Sequence, residues 1–133
     1  MWGARLTLAY FHGKKYNEEK KHSKNADIFI FPTLNEAFGF VLLEAMEHAL
    51  PCIATDEGGI SDIVDEGETG FIVSKRNAYI LADKIEYLLI HPEERMRMGK
   101  NGYRKFYDKF TLRKFEELMS DILNDCLHSD KAY

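Results

Sequence analysis

The chain has 133 residues and a formal net charge of −4 at pH 7, with 22 acidic side chains against 18 basic ones. That length supports one hydrophobic core, and the acidic balance leaves no basic footprint for nucleic acid. Two cysteines are too few for a disulfide framework and fit a reducing, cytoplasmic setting, and no apolar run reads as a membrane span or a signal peptide.

In chain order, Leu6–His12 (LTLAYFH) reads as a strand ending at Gly13. The polar stretch Tyr16–Asn25 is a short surface helix carried by Glu-to-Lys pairs, or a loop. Ile28–Phe31 is apolar without alternation, as expected of a strand buried on both faces of a parallel sheet, and Pro32 ends it. A loop at Thr33–Asn35 comes next, with Asn35 or Glu36 placed to cap a helix. In that helix Phe38, Val41, Leu42, Ala45, Met46 and Ala49 fall at helical spacing. Phe40 and Leu43 add apolar surface elsewhere, so the first two turns are expected to be buried nearly all round. Pro51 stops this helix, and Cys52–Thr55 forms the next buried strand.

Asp56–Ser61 (DEGGIS) comes after it, and its Gly58-Gly59 pair either makes an ordinary turn or aims backbone N–H groups at an anion. Phe71–Val73 is a short strand. Asn77 or Ala78 opens a helix with Leu81, Ile85, Leu88 and Leu89 on one stripe, and Pro92 opens another in which Gly99 and Gly102 weaken the middle by ~1 kcal/mol each. Thr111 caps a final helix whose Phe115, Leu118, Met119, Ile122, Leu123 and Cys126 share one face. Strands alternating with helices predict an α/β fold with a parallel sheet and right-handed crossovers. His12, His22, His48, His91 and His128 show no pairing with cysteine or acid at ligand spacing, so no metal site is expected.

Two acids stand out. Glu44 lies on a largely apolar helix, where a carboxylate is costly unless paired. Glu36 lies eight positions earlier, where the strand gives way to the helix, the edge at which open α/β sheets bind ligands. The N–H groups of Ala37, Phe38, Gly39 and Phe40 are expected to face the same crevice. If both acids were helical they would be about 12 Å apart along the axis, at ~1.5 Å per residue. The plainer alternative is that Glu36 complements the helix dipole and Glu44 pairs with a lysine.

Glu36 and Glu44 with AFGFVLLEAM between and after them, followed by LPCIATDEGG, resemble the nucleotide-sugar-binding domain of retaining glycosyltransferases of the GT-B fold, family 4 (glycosyl transferases group 1). The likeness runs from about Phe11 to about Phe110. Ala37 and Ala49 replace frequent glycines, Ser61 a frequent proline and Asp62 a frequent glutamate. The resemblance implies a three-layer Rossmann-like parallel sheet flanked by helices, the C-terminal half of a GT-B fold. It implies that residues 1–133 are a single partial domain without the N-terminal acceptor domain. It further implies transfer of a sugar from a nucleotide diphosphate sugar to an acceptor, in polysaccharide or glycoconjugate synthesis; an alternative is a nucleotide-sugar-binding module inactive without its other half. By the same resemblance Glu36 lies beside the anomeric centre of the donor, and Glu44 holds the ribose hydroxyls. Main-chain groups around Ala37–Phe40 and Gly58-Gly59 would hold sugar and diphosphate, with Gly13 and Lys14 near the base and no cofactor beyond the donor substrate. The last helical region would cross toward the N-terminal domain; without it, the apolar face is exposed or covered by another copy, which predicts self-association. A receiver-like signalling domain with Asp56 as phosphate acceptor is the reading from another class, and TDEGG serves it poorly.

Overall fold

A computed structural model describes residues 6–8, 26–35 and 38–129. Its strands are β1 (Leu6–Leu8), β2 (Ile28–Phe31), β3 (Cys52–Thr55) and β4 (Gly70–Val73). They form a parallel sheet in the order β1-β2-β3-β4, with Phe29 opposite Cys52 and Ile53 opposite Phe71. Parallel neighbours require crossovers. Helix α1 (Phe40–Glu47) joins β2 to β3, and the four-residue α2 (Ile60–Ile63) lies between β3 and β4. Helices α3 (Ala78–Ile90), α4 (Pro92–Lys109) and α5 (Leu112–Ser129) complete the order.

Side chains alternate across the strands, so the sheet feeds two cores. Phe29, Phe31, Cys52 and Ala54 pack with Leu42, Ala45 and Met46 of α1 and with Ile60 and Ile63 of α2. On the other face Ile28, Ile30, Ile53, Phe71 and Val73 meet Leu88 of α3, with Leu81, Ile85 and Leu89 around it. Helix α4 serves both layers: Met98 enters the second core, whereas Phe106 packs on the first. The expected three-layer α/β architecture is therefore what the chain adopts.

β2 and β3 occupy the residues that their apolar runs predict. Strand β1 is described over Leu6–Leu8, and the rest of the expected Leu6–His12 strand and the expected Tyr16–Asn25 element lie outside the described residues. Asn77 caps α3 with its side-chain oxygen, which accepts from the Ile80 N–H at 3.1 Å. Pro92 takes the first turn of α4, as its missing N–H allows.

Helix α1 departs most from expectation. It starts at Phe40 rather than Phe38, because Gly39 has a left-handed backbone (φ 87°), and among the described residues no side chain caps the helix. Phe40 is 72% exposed, so the first turn is not buried all round. The helix ends before Pro51 in a Schellman turn: the Ala49 N–H bonds to Met46 O at 2.9 Å and the Leu50 N–H to Ala45 O at 3.0 Å. Ala49 itself is left-handed, with φ 53°.

The glycines of α4 also read differently in place. A Cβ on Gly99 would stand 2.1 Å from the carbonyl oxygen of Ala49, and one on Gly102 would stand 3.3 Å from Cγ of Met46. They are where α4 closes on α1, not weak points in a solvated helix. Polar side chains of α4 tie it to the turns before β4: Arg97 donates to Gly67 O at 2.7 Å, Asn101 to Glu68 O at 3.0 Å and Lys105 to Ile63 O at 2.8 Å.

Candidate functional site

In a parallel sheet each helix that comes after a strand begins at the same edge, so α1, α2 and α3 all open beside the C-terminal ends of β2, β3 and β4. Helix openings carry N–H groups without intrahelical acceptors and a partial positive charge. In α1 the Leu42 N–H turns back to Gly39 O at 3.0 Å, which leaves the N–H groups of Phe40 and Val41 as the donors without an acceptor inside the helix.

The loops at this edge are held to one another. The Thr55 hydroxyl, at the end of β3, donates to the Thr33 carbonyl beyond β2. The Asp56 N–H donates to Val73 O at 3.0 Å, and the Lys75 ammonium pairs with the Glu57 carboxylate. These last two contacts pin the loop that carries Gly58 and Gly59. Gly58 is left-handed (φ 50°), and Gly59 precedes the first residue of α2. Neither the Thr55 bond nor the Lys75 pair was foreseen, since both join residues distant in sequence; a buried threonine at a strand end was the only signal for the first.

Phe38, Gly39 and Phe40 form the entry to α1, with Gly39 buried and the rings of Phe38 and Phe40 at 4.8 Å, tilted. Glu44 comes one turn later, half-buried, and its carboxylate has no hydrogen-bond or ion-pair partner among the described residues. His48, one turn on, turns to the main chain: its Nδ1 lies 2.8 Å from the Glu44 carbonyl oxygen. The lysine partner of the plainer alternative is not seen among the described residues. The structure thus places Phe40 and Glu44 on α1, with Phe38 and Gly39 leading into it, and Gly58-Gly59 on the next loop of the same edge. Gly13, Lys14, Glu36 and Ala37 lie outside the described residues. Because α1 begins at Phe40, the separation of about 12 Å obtained by running one helix through both acids does not apply.

A cavity of ≈ 310 Å³ opens at this edge between Pro32, Thr55, Ser74, Arg76 and Leu81. It lies on the α3 side, and none of the described site residues lines it. A larger groove of ≈ 530 Å³, bounded by Ala49, Tyr103 and Tyr107, sits at the far end of α1. Among the described residues no three His, Cys, Asp or Glu side chains are grouped to hold a metal ion. Loss of hydration pushes the thiol of buried Cys52 from 9.0 to about 12, so it is an inert core group.

The profile of the family described as glycosyl transferases group 1 matches residues 7–105. The chain belongs to that family. Relatives within reach of sequence include the capsular polysaccharide biosynthesis glycosyltransferase CapM of Staphylococcus aureus, 38% identical over 108 residues, which cover 81% of this chain and 28% of CapM. The N-acetyl-alpha-D-glucosaminyl L-malate synthase of Bacillus anthracis is 33% identical over 106 residues, covering 80% of this chain and 28% of the synthase. The chain thus spans a little over a quarter of the length of these relatives. Among solved structures, the C-terminal domain of a glycosyl transferase group 1 family protein from Francisella tularensis superposes with a TM-score of 0.69 at 27% identity, covering 77% of this chain and 53% of that one. Sucrose-phosphate synthase from Thermosynechococcus elongatus gives a TM-score of 0.75 at 28% identity, covering 90% of this chain and 30% of the enzyme. The structural neighbours are GT-B glycosyltransferases, and the parallel sheet with its flanking helices is the fold they share with this group 1 chain.

Proposed function

We propose that these residues form the donor-binding part of a retaining glycosyltransferase that moves a sugar from a nucleotide diphosphate sugar to an acceptor. The observation that carries the reading is the family match over residues 7–105, with the openings of α1 and α2 set side by side at one sheet edge. Such an edge suits an anionic, hydroxyl-rich ligand, because N–H donors and helix dipoles meet there. Glu36 is assigned to the anomeric centre of the donor and Glu44 to the ribose hydroxyls. A half-buried carboxylate on α1 with no partner among the described residues can accept from two adjacent hydroxyls. The main chain at Ala37, Phe38, Gly39 and Phe40 and the Gly58-Gly59 loop would hold the sugar and diphosphate, with Gly13 and Lys14 near the base. As charge grows on the departing diphosphate, fixed donors of this kind stabilise it without reorganising.

The same proposal places the acceptor site in a preceding domain, so residues 1–133 alone act as a binding module. The coverage of a little over a quarter of each relative favours that second reading for the isolated chain. A cytoplasmic setting belongs to the proposal as well, with Cys52 and Cys126 both outside disulfides.

Thermal-shift titration with uridine and guanosine diphosphates, with and without a sugar, tests donor binding. A ligand at 100 times its dissociation constant adds about 2.7 kcal/mol of stability. Glu44→Gln is expected to weaken nucleotide affinity by about tenfold, the loss of a charge-assisted hydrogen bond. Unchanged affinity in that variant would remove the ribose assignment, and no shift with any nucleotide would remove donor binding by this stretch.

A further inference from the structure

The loop between β3 and α2 reads Asp56-Glu57-Gly58-Gly59, two acids directly before the glycine pair that the donor reading assigns to a diphosphate. Gly58 is left-handed and Gly59 right-handed, with φ 50° and −82°. That alternation turns successive N–H groups toward one side, as anion-binding turns do. Neither glycine N–H has an acceptor among the described residues. A carboxylate beside such donors can fold onto them, and it repels any other anion. The two acids differ in this respect. Asp56 is exposed, where water and salt screen its charge, whereas the Glu57 side chain is only 20% exposed.

The answering charge comes from the next loop. Ser74-Lys75-Arg76 comes after β4, and Arg76 is left-handed at φ 57°. The two cations diverge: Arg76 lines the cavity of ≈ 310 Å³, and Lys75 crosses to Glu57, its sole partner among the described residues. Of the two contacts that pin the glycine loop, this ion pair is the dispensable one. The Asp56 N–H already bonds to Val73 O at 3.0 Å, and Ile60 and Ile63 anchor α2 in the core with no exposure. The Lys75 side chain is 47% exposed, and an ion pair so placed adds little to stability. Its effect falls on charge instead.

We infer that Lys75 sets the affinity of the Gly58-Gly59 loop for a diphosphate by neutralising Glu57, as a positioning residue and not as a ligand. This role rests on the donor reading proposed above, which brings the anion to the loop. With the ammonium in place, the carboxylate is tied away from the glycine N–H groups and its charge is offset. Without it, an uncompensated acid stands next to the first of those donors.

Calorimetric titration of uridine and guanosine diphosphates into the 133-residue chain and its variants tests this role. Lys75→Met is expected to weaken diphosphate binding by roughly tenfold, the effect of one charge at about 10 Å and an effective dielectric constant of ~20. Added salt narrows that difference. Glu57→Gln does not weaken binding, because the repelling charge itself is gone. The double variant returns to within about twofold of the native chain, and Lys75→Arg keeps native affinity. Urea midpoints stay close to native throughout. A mechanical latch would behave differently: cutting it from either side would weaken binding equally, and the double variant would be no better. That pattern overturns the inference. So does a double variant as weak as Lys75→Met, which would make the lysine a direct ligand. A native chain that binds neither diphosphate removes donor binding itself, and this role with it. A native chain that binds one of them, with Lys75→Met unaltered, removes the role of Lys75 alone.

Discussion

Ala49 occupies the residue after the cap of α1 with φ 53°, a left-handed backbone that glycine adopts freely and alanine does not. The two Schellman hydrogen bonds around it, from Ala49 N to Met46 O and from Leu50 N to Ala45 O, fix that conformation. A left-handed alanine costs roughly 1–2 kcal/mol, partly offset by the greater freedom glycine has in the unfolded chain. Ala49→Gly is therefore expected to stabilise the chain by about 0.5–1 kcal/mol, measured as a higher urea midpoint at unchanged slope. A lower midpoint would show that the turn does not strain the alanine. The substitution of alanine for a frequent glycine was visible in the sequence; that it falls on a left-handed residue was not, because a φ angle is set by how the helix end packs. Glu44 shows the same division. Its oddity on an apolar helix could be read directly, but its lack of a protein partner among the described residues, and the turn of His48 to the main chain, needed coordinates.

Elements were legible where one local signal decided them. Four apolar residues before Pro32, and three closed by Thr55 between Pro51 and Asp56, read as buried strands, and Asn77 and Pro92 announced the helices that they open. The start of α1 was misread because Phe38 continues the apolar spacing, while Gly39 breaks the backbone. The glycines of α4 were misjudged for a related reason: propensity counts them as weak points, whereas packing makes one of them indispensable. Gly99 lies against the carbonyl of Ala49, and a Cβ there would overlap it at 2.1 Å. Backbone at a helix end cannot step aside as a flexible side chain can, so Gly99→Ala should cost about 2–3 kcal/mol despite the helical preference of alanine. Gly102→Ala meets side chains, Met46 at 3.3 Å and Thr69 at 3.9 Å, and should change stability by less. Urea denaturation of both variants checks the order. Equal effects would mean that α4 shifts as a body and that the close approach to Ala49 is not a constraint.

For the molecule as a whole, the sheet separates a sealed interior from one long exposed helix, and the two thiols report on each side. Cys52 sits in β3 with no exposure, and Cys126 lies on the open face of α5. A thiol reagent near pH 8 should titrate one cysteine in the folded chain and both in urea. Burial raises the folded Cys52 thiol from 9.0 to about 12, while the unfolded chain ionises it in the ordinary range. Between those values the native state binds more protons than the unfolded state, so stability must fall as pH rises. The contribution is intact below about pH 8.5 and declines from there toward pH 12. Cys52→Ala removes the thiol and adds a constant cost for the lost atom, so the gap in stability between native chain and variant should narrow steadily above about pH 9. Lysines and tyrosines titrate alike in both proteins and cancel in the difference. A gap that stays constant from neutral pH to about pH 10.5 would mean that the thiolate is tolerated inside, and that the core under α1 admits water.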